Sequence, residues 1–270
     1  MIFAICYFLI SLGGAGCIMY FSGLYLNWYW YWIPVILVPI FYYLCYGLTL
    51  VPLFFIAKKI DIDKEVTKKS KIAAFLVRQI DFLTIQLSLS NVKYTGLKKI
   101  DQKKEYMMIY NHISNFDPML IMAKIRRLIC ITKYGNKKIP VVGGFIHKAG
   151  YITINRDSDA EGIKAINKAI DIINNHEASI CVAPEGTRSK TLELLPFHPG
   201  TFNIAKRTGV PIVCFGIRNT NLIHKNFPRK TTKVYCDVIY VMTKDEYSDL
   251  STSEIAHRLH TIYEEYLGGH

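Results

Sequence analysis

From Met1 through Ala57 the chain carries no Lys, Arg, Asp, Glu or His, and its first charged side chain is Lys58. Water-soluble chains rarely postpone charge for so long, so this segment belongs in lipid. Ile2 to Phe21 and Ile33 to Ile56 are each long enough to cross about 30 Å of hydrocarbon as a helix. Between them lies Tyr25-Leu26-Asn27-Trp28-Tyr29-Trp30-Tyr31-Trp32, whose amphipathic rings suit a headgroup layer. Pro34, Pro39 and Pro52 leave two arrangements open, a pair of full spans or a monotopic hairpin. The start lacks a basic region, and no small-residue cleavage site precedes the second apolar run, which speaks against a removed signal peptide. Lys58, Lys59, Lys64, Lys68, Lys69 and Lys71 favour the cytoplasmic side of the cell membrane for everything downstream.

The chain thus divides into an anchor of two hydrophobic helices over 1–57, an amphipathic helical linker over 58–90, and one domain with a sizeable core over 91–270. Lys and Arg number 33 against 21 Asp and Glu, a surplus that suits nucleic acid or an anionic bilayer surface. The anchor favours the bilayer, and no nucleic-acid-binding module accompanies the charge. Cys130, Cys181, Cys214 and Cys236 sit singly in apolar runs, the pattern of reduced thiols buried as small hydrophobes. There is no CxxC, and His257 with His260 lacks a third partner, so no metal site is expected.

Ile72 to Leu89 reads as an amphipathic helix. Val92 to Tyr94, Tyr106 to Tyr110, Leu128 to Thr132, Tyr151 to Ile154, Ser179 to Ala183, Val210 to Phe215 and Thr232 to Val241 read as strands. Ile163, Ile166, Ile170 and Ile173 recur at helical spacing, and Ile255, Leu259, Ile262 and Tyr266 mark a terminal helix. This alternation predicts an α/β domain, a mixed sheet flanked by helices, behind the N-terminal hydrophobic helical anchor.

Two polar blocks interrupt these apolar runs, each directly after a strand. In Asn111-His112-Ile113-Ser114-Asn115-Phe116-Asp117, His112 can accept a proton near neutral pH, and Asp117 can hold its other ring nitrogen if the turn folds back. Asp117 before Pro118 would also serve as a helix N-cap and first-turn pair. In Pro184-Glu185-Gly186-Thr187-Arg188-Ser189, Arg188 offers a planar fork to phosphate, Gly186 permits close backbone approach, and Thr187 is a short donor.

The ordered pair of blocks resembles the glycerolipid acyltransferase family that includes 1-acyl-glycerol-3-phosphate acyltransferases, over most of Ile100 to Phe215. The resemblance implies direct acyl transfer with His112 as general base and Asp117 stabilising its imidazolium. It gives 91–270 as the acyltransferase domain, and phosphatidate as the product of acylating the 2-hydroxyl of 1-acyl-glycerol 3-phosphate. The donor would be an acyl carrier protein or coenzyme A thioester, with no tightly bound cofactor. Arg156 in Gly150-Tyr151-Ile152-Thr153-Ile154-Asn155-Arg156 matches a phosphate-contacting block, with Arg188 second and Lys133 as an assisting cation. Glu185, within the same substrate-binding block, would pair with Arg or Lys and hold the loop, and Ser114 would bond locally in its turn. Ala183, His198, Pro199 and Cys214 depart from the family pattern and weaken inference about the acceptor and acyl pocket. Another lysophospholipid or membrane alcohol is the alternative acceptor. A Ser114 hydrolase lacks the Gly-x-Ser-x-Gly elbow, and a non-enzymatic lipid-binding protein would not need His112, Asp117, Arg156 and Arg188 together.

Overall fold

The structure is a computed structural model that describes residues 2–66, 68–155 and 158–269. Its first two helices, α1 (Ile2–Phe21) and α2 (Ile33–Lys58), are both long and apolar enough to cross a membrane. Ala4, Tyr7, Ser11, Ala15 and Met19 form one buried stripe on α1, at the three- and four-residue steps that keep side chains on one helical face. Tyr7 donates to Thr49 Oγ1 at 2.7 Å, so two polar groups on facing apolar helices satisfy each other. α2 runs through Pro39 and Pro52 as one helix of 26 residues, about 39 Å at the α-helical rise. The hairpin tip exposes Trp28, Tyr31 and Trp32.

Helix α3 (Lys71–Leu87) starts at Ser70, whose side chain accepts the Ala73 amide. The remaining helices are α4 (Phe116–Lys124), α5 (Val142–Lys148), α6 (Asp159–Asn174), α7 (Asn203–Thr208), α8 (Ile223–Asn226), α9 (Lys244–Tyr247) and α10 (Thr252–Gly268). The strands are β1 (Ser90–Thr95), β2 (Met107–Tyr110), β3 (Leu128–Lys133), β4 (Ile152–Ile154), β5 (Ser179–Val182), β6 (Ile212–Arg218) and β7 (Thr232–Met242). They form one sheet in the order β1-β7-β6-β2-β5-β3-β4. Strands β6, β2, β5, β3 and β4 are mutually parallel, whereas β7 runs antiparallel to β6 and carries β1 parallel to itself. The mixed α/β architecture is therefore the observed one.

Alternate strand residues feed two cores. Met108 and Tyr110 of β2 join Val77 and Ile80 of α3, Leu120 of α4 and Phe145 of α5 on one face. Met107 and Ile109 join Ile172 of α6, Ile204 of α7 and Leu259 of α10 on the other. In β7 a register shift opposite Cys214/Phe215 inserts Ile239 and exchanges the faces. Val234, Cys236 and Val238 belong to the first core, whereas Tyr240 and Met242 belong to the second.

Strand β6 and helix α6 differ in detail from the sequence pattern. Strand β6 spans Ile212 to Arg218 instead of Val210 to Phe215. Pro211 has no amide to give a ladder, although its carbonyl accepts the Met107 amide at 3.0 Å. In α6 the isoleucine stripe is only partly internal, because Ile163 is 61% exposed and Ala165, Ala169 and Ile172 share the inward face with Ile170 and Ile173. Glycines 143 and 144 serve packing. A Cβ on Gly143 would stand 2.2 Å from the Lys137 carbonyl oxygen, and one on Gly144 would stand 2.8 Å from that of Ala57. Close contact of α5 with α2 thus ties the anchor to the domain, helped by Tyr42, which donates to Gln86 of α3.

Candidate active site

The carboxyl ends of parallel strands β5, β2 and β6 lie side by side, with β2 in the middle. Open parallel sheets bind ligands at such an edge. Directly after β2, the Asn111 amide donates to the Ile217 carbonyl at 2.9 Å, and its oxygen accepts the Ile217 amide at 2.8 Å. A side chain thereby takes over strand pairing with β6, and the main chain is released into a turn at His112.

That turn folds back onto the start of α4. His112 Nδ1 lies 2.9 Å from Asp117 Oδ2, and the same oxygen accepts the amides of Ile113 at 2.8 Å and Ser114 at 2.7 Å. Asp117 Oδ1 accepts the Thr220 hydroxyl at 2.5 Å. A fully buried carboxylate thus accepts from three neighbours in its own turn and from a hydroxyl just beyond β6, which compensates for its lost hydration. The N-cap alternative does not hold for its side chain, because Asn115 is the N-cap of α4 and Asp117 bonds amides that precede the helix. With Nδ1 donating to this acceptor, Nε2 is the nitrogen left with an open lone pair. Ser114 Oγ accepts the Phe116 amide at 3.3 Å, a local turn bond.

The second block is bolted to the first. Glu185 is buried; its Oε1 accepts the His112 amide at 2.6 Å and its Oε2 accepts the Leu195 amide at 3.0 Å. Burial pushes its carboxyl above the usual carboxylate range, and these two amides offset only part of that rise. The expected Arg or Lys partner is replaced by main-chain donors, which fix the backbone beneath the His112 ring. Ser189 donates its amide to the His112 carbonyl at 2.9 Å and closes the link. Gly186 has φ +68°, a conformation that favours glycine, and a Cβ there would displace the exposed His198 ring, 2.9 Å away.

Thr187 and Arg188 are exposed on a cleft of about 450 Å³ that also involves Ile113, Ser189, Asn221 and Lys225. A neighbouring cleft of about 570 Å³ shares Ile113 and Asn221 and extends to Asn111, Arg218 and Tyr235. Arg188, Lys190, Lys225 and Arg218 line the two clefts without any carboxylate, a surface suited to an anionic group. Arg218 is held between the Tyr235 and Tyr266 rings, 5.2 and 4.6 Å from their centroids, with Asp237 at 3.4 Å.

The placements of the remaining candidates differ. Lys133 is exposed at the end of β3, separated from β2 by β5, and lines neither cleft. Arg156 lies outside the described residues. Among the described residues no group of three or more His, Cys, Asp or Glu could hold a metal ion. Thr220 and Arg218 escaped the sequence reading. Thr220 stands 103 positions from its carboxylate partner, and only the parallel placement of β6 beside β2 joins them.

Residues 91–218 match the family described as Acyltransferase. The 1-acyl-sn-glycerol-3-phosphate acyltransferase of Saccharomyces cerevisiae is 31% identical over 160 residues, covering 57% of this chain and 52% of that protein. The protein of the same name from Haemophilus influenzae is 29% identical over 169 residues, covering 61% of this chain and 70% of that protein. With 52% and 53% coverage of the yeast and Cocos nucifera proteins, the matched part is about half the length of these curated relatives. The crystal structure of the 1-acyl-sn-glycerophosphate (LPA) acyltransferase PlsC from Thermotoga maritima has the same fold, with TM-score 0.61 and 20% identity over 82% of this chain and 95% of that one.

Proposed function

We propose that this chain, whose residues 91–218 match the family described as Acyltransferase, transfers a fatty acyl group from an acyl carrier protein or coenzyme A thioester to the sn-2 hydroxyl of 1-acyl-sn-glycerol 3-phosphate, forming phosphatidate. The observation that carries this reading is the His112–Asp117 pair at 2.9 Å beside clefts whose charged lining residues are all cations. The names of the yeast and Haemophilus relatives support the choice of acceptor.

His112 Nε2 takes the proton of the acceptor hydroxyl as that oxygen attacks the thioester carbonyl. A C–O bond forms, the C–S bond breaks, and the imidazolium returns its proton to the departing thiolate. Asp117 stabilises the imidazolium and holds its tautomer, as a carboxylate does in a hydrolase triad. No acyl-enzyme is required. Arg188, with Lys225 across the same cleft, receives the acceptor phosphate. Arg156 keeps its proposed role as the first-choice phosphate contact, and Lys133 its proposed role of assisting phosphate or acyl-donor binding.

Arg188→Lys keeps the charge and loses the planar fork, so kcat/KM for the phosphorylated acceptor should fall about tenfold, with acyl-donor KM little changed. Purified protein assayed with 1-acyl-glycerol 3-phosphate and with its dephosphorylated counterpart checks this. An equal fall for both acceptors would remove Arg188 from phosphate recognition. Preference of the unaltered protein for the acceptor lacking the phosphomonoester would reject the substrate assignment.

The charge-free anchor ending in Lys58-Lys59 supports a membrane enzyme whose domain faces the cytoplasm. Protease added to inside-out vesicles should digest the domain, and protease added to right-side-out vesicles should spare it. The reverse pattern would overturn this orientation.

A further inference from the structure

At the opposite end of the sheet, a cavity of about 630 Å³ opens between α3 and the amino ends of β3 and β5. Strand β3 alone spans six residues, about 20 Å, so this cavity is remote from the carboxyl-end clefts. Phe75, Met122, Ile125 and Leu128 contribute an apolar interior, and Lys69, Lys71, Arg78 and Arg127 contribute four cations against the single carboxylate of Glu177. The size is that of a small-molecule site.

Several observations show what suits it. Tyr151 lines the cavity and is 9% exposed. The amino end of the 17-residue α3 also faces the cavity through Ser70 and Lys71, which adds a favourable field for an anion. Lys69 pairs with Glu177 and Arg127 with Glu105, whereas Arg78 has no carboxylate within ion-pair distance among the described residues. Its Nε donates to the Met122 carbonyl at 3.2 Å, which fixes the guanidinium at the cavity wall.

Location identifies the occupant. Phe75 packs edge-on against Phe3 at 5.8 Å, and Phe3 is at the start of the first membrane helix. The cavity therefore sits at the foot of the anchor, where a molecule with an apolar tail and an anionic head is already at hand. We propose that it is a second lipid site, taking an anionic phospholipid from the bilayer with its phosphate among Arg78, Arg127 and Lys71 and its chain between α3 and β3. The site is separate from the acyl-transfer reaction, and it makes the lipid a structural ligand joining the anchor to the domain.

Purified full-length protein in a neutral detergent, offered phosphatidylglycerol or phosphatidylcholine of matched chains, tests this by counting bound lipid in native mass spectrometry. Phosphatidylglycerol should be retained about tenfold more strongly than phosphatidylcholine, the worth of one charge-assisted contact. Arg78→Gln with Arg127→Gln should erase that preference, and Ala74→Trp, which fills the cavity and keeps its cations, should abolish retention. Ala74→Leu provides the milder block if the Trp protein fails to fold. An undiminished preference in the folded variants would overturn the proposal. So would full displacement by inorganic phosphate, which would mark a free-anion site. A shift by Ala74→Trp toward shorter transferred acyl chains would instead join the cavity to the substrate path and also overturn it. Lipid counting needs no turnover, so its failure leaves the acyl-transfer reading intact.

Discussion

His112→Ala should lower acyl transfer by about a thousandfold or more while leaving a folded, membrane-inserted protein, since general-base catalysis contributes on that scale. The expectation of retained fold rests on how the turn is held. The His112 amide bonds Glu185 and its carbonyl accepts from Ser189, and alanine keeps both groups. The ring itself contacts Asp117 and lies 5.6 Å from the Tyr110 ring, so its loss removes one of the donors to the buried carboxylate but no core side chain. Acylated glycerolipid and free fatty acid should be followed together, with a thermal melt on the same sample. Near-normal transfer by the folded variant would sink the general-base mechanism. A rise in free fatty acid with loss of transfer would point to thioester hydrolysis instead.

Asp117→Asn should be at least as damaging to turnover, with a loss of about a thousandfold to ten-thousandfold by analogy with the neutralised carboxylate of a catalytic triad. It should also damage stability, unlike the histidine variant. Asp117 Oδ2 accepts from the His112 ring and from two amides, and Oδ1 accepts from Thr220. An amide has only one accepting atom, so its NH₂ must face either the turn's donors or the Thr220 hydroxyl. If it faces the turn, two buried amides are left unpaired and the imidazole is driven to the other tautomer. The buried mismatch is worth about 1–3 kcal/mol. Thr220→Val is the graded companion. It removes one donor at similar volume and should lower kcat about tenfold with little change in KM, as expected of a residue that positions the carboxylate. A fall in KM-dependent terms alone, with kcat intact, would place Thr220 in substrate binding and not in orientation of the pair.

The elements most legible in the sequence were those written in short-range pattern. The apolar character of the first helices is carried by the absence of charge through Ala57, and no tertiary contact is needed to see it. The juxtaposition of His112 and Asp117 was legible as well, since a single turn closes a separation of five residues. Strand positions followed from apolar runs, although Pro211 displaced the start of β6 and the exposed Ile163 shows that periodicity alone did not select every inward position of α6.

What only the tertiary structure decided is who meets whom across long separations. Glu185 caps the His112 amide because β5 lies beside β2, and Thr220 reaches Asp117 because β6 lies on the other side of β2. Parallel pairing leaves no local mark of strand order, as each neighbour is reached through a long crossover and its register is set by packing over the whole sheet. The exchange of faces within β7 has the same origin, a bulge whose extra residue is visible only against β6. The sequence by itself determined the lipid-seeking start, the α/β alternation and the turn that brings an imidazole to a carboxylate, because each is settled by residues within a few turns of chain. The cation-lined clefts, the hydrogen bonds that lock the turn and the cavity at the foot of the anchor required the folded molecule, because their residues are brought together by sheet order and close packing.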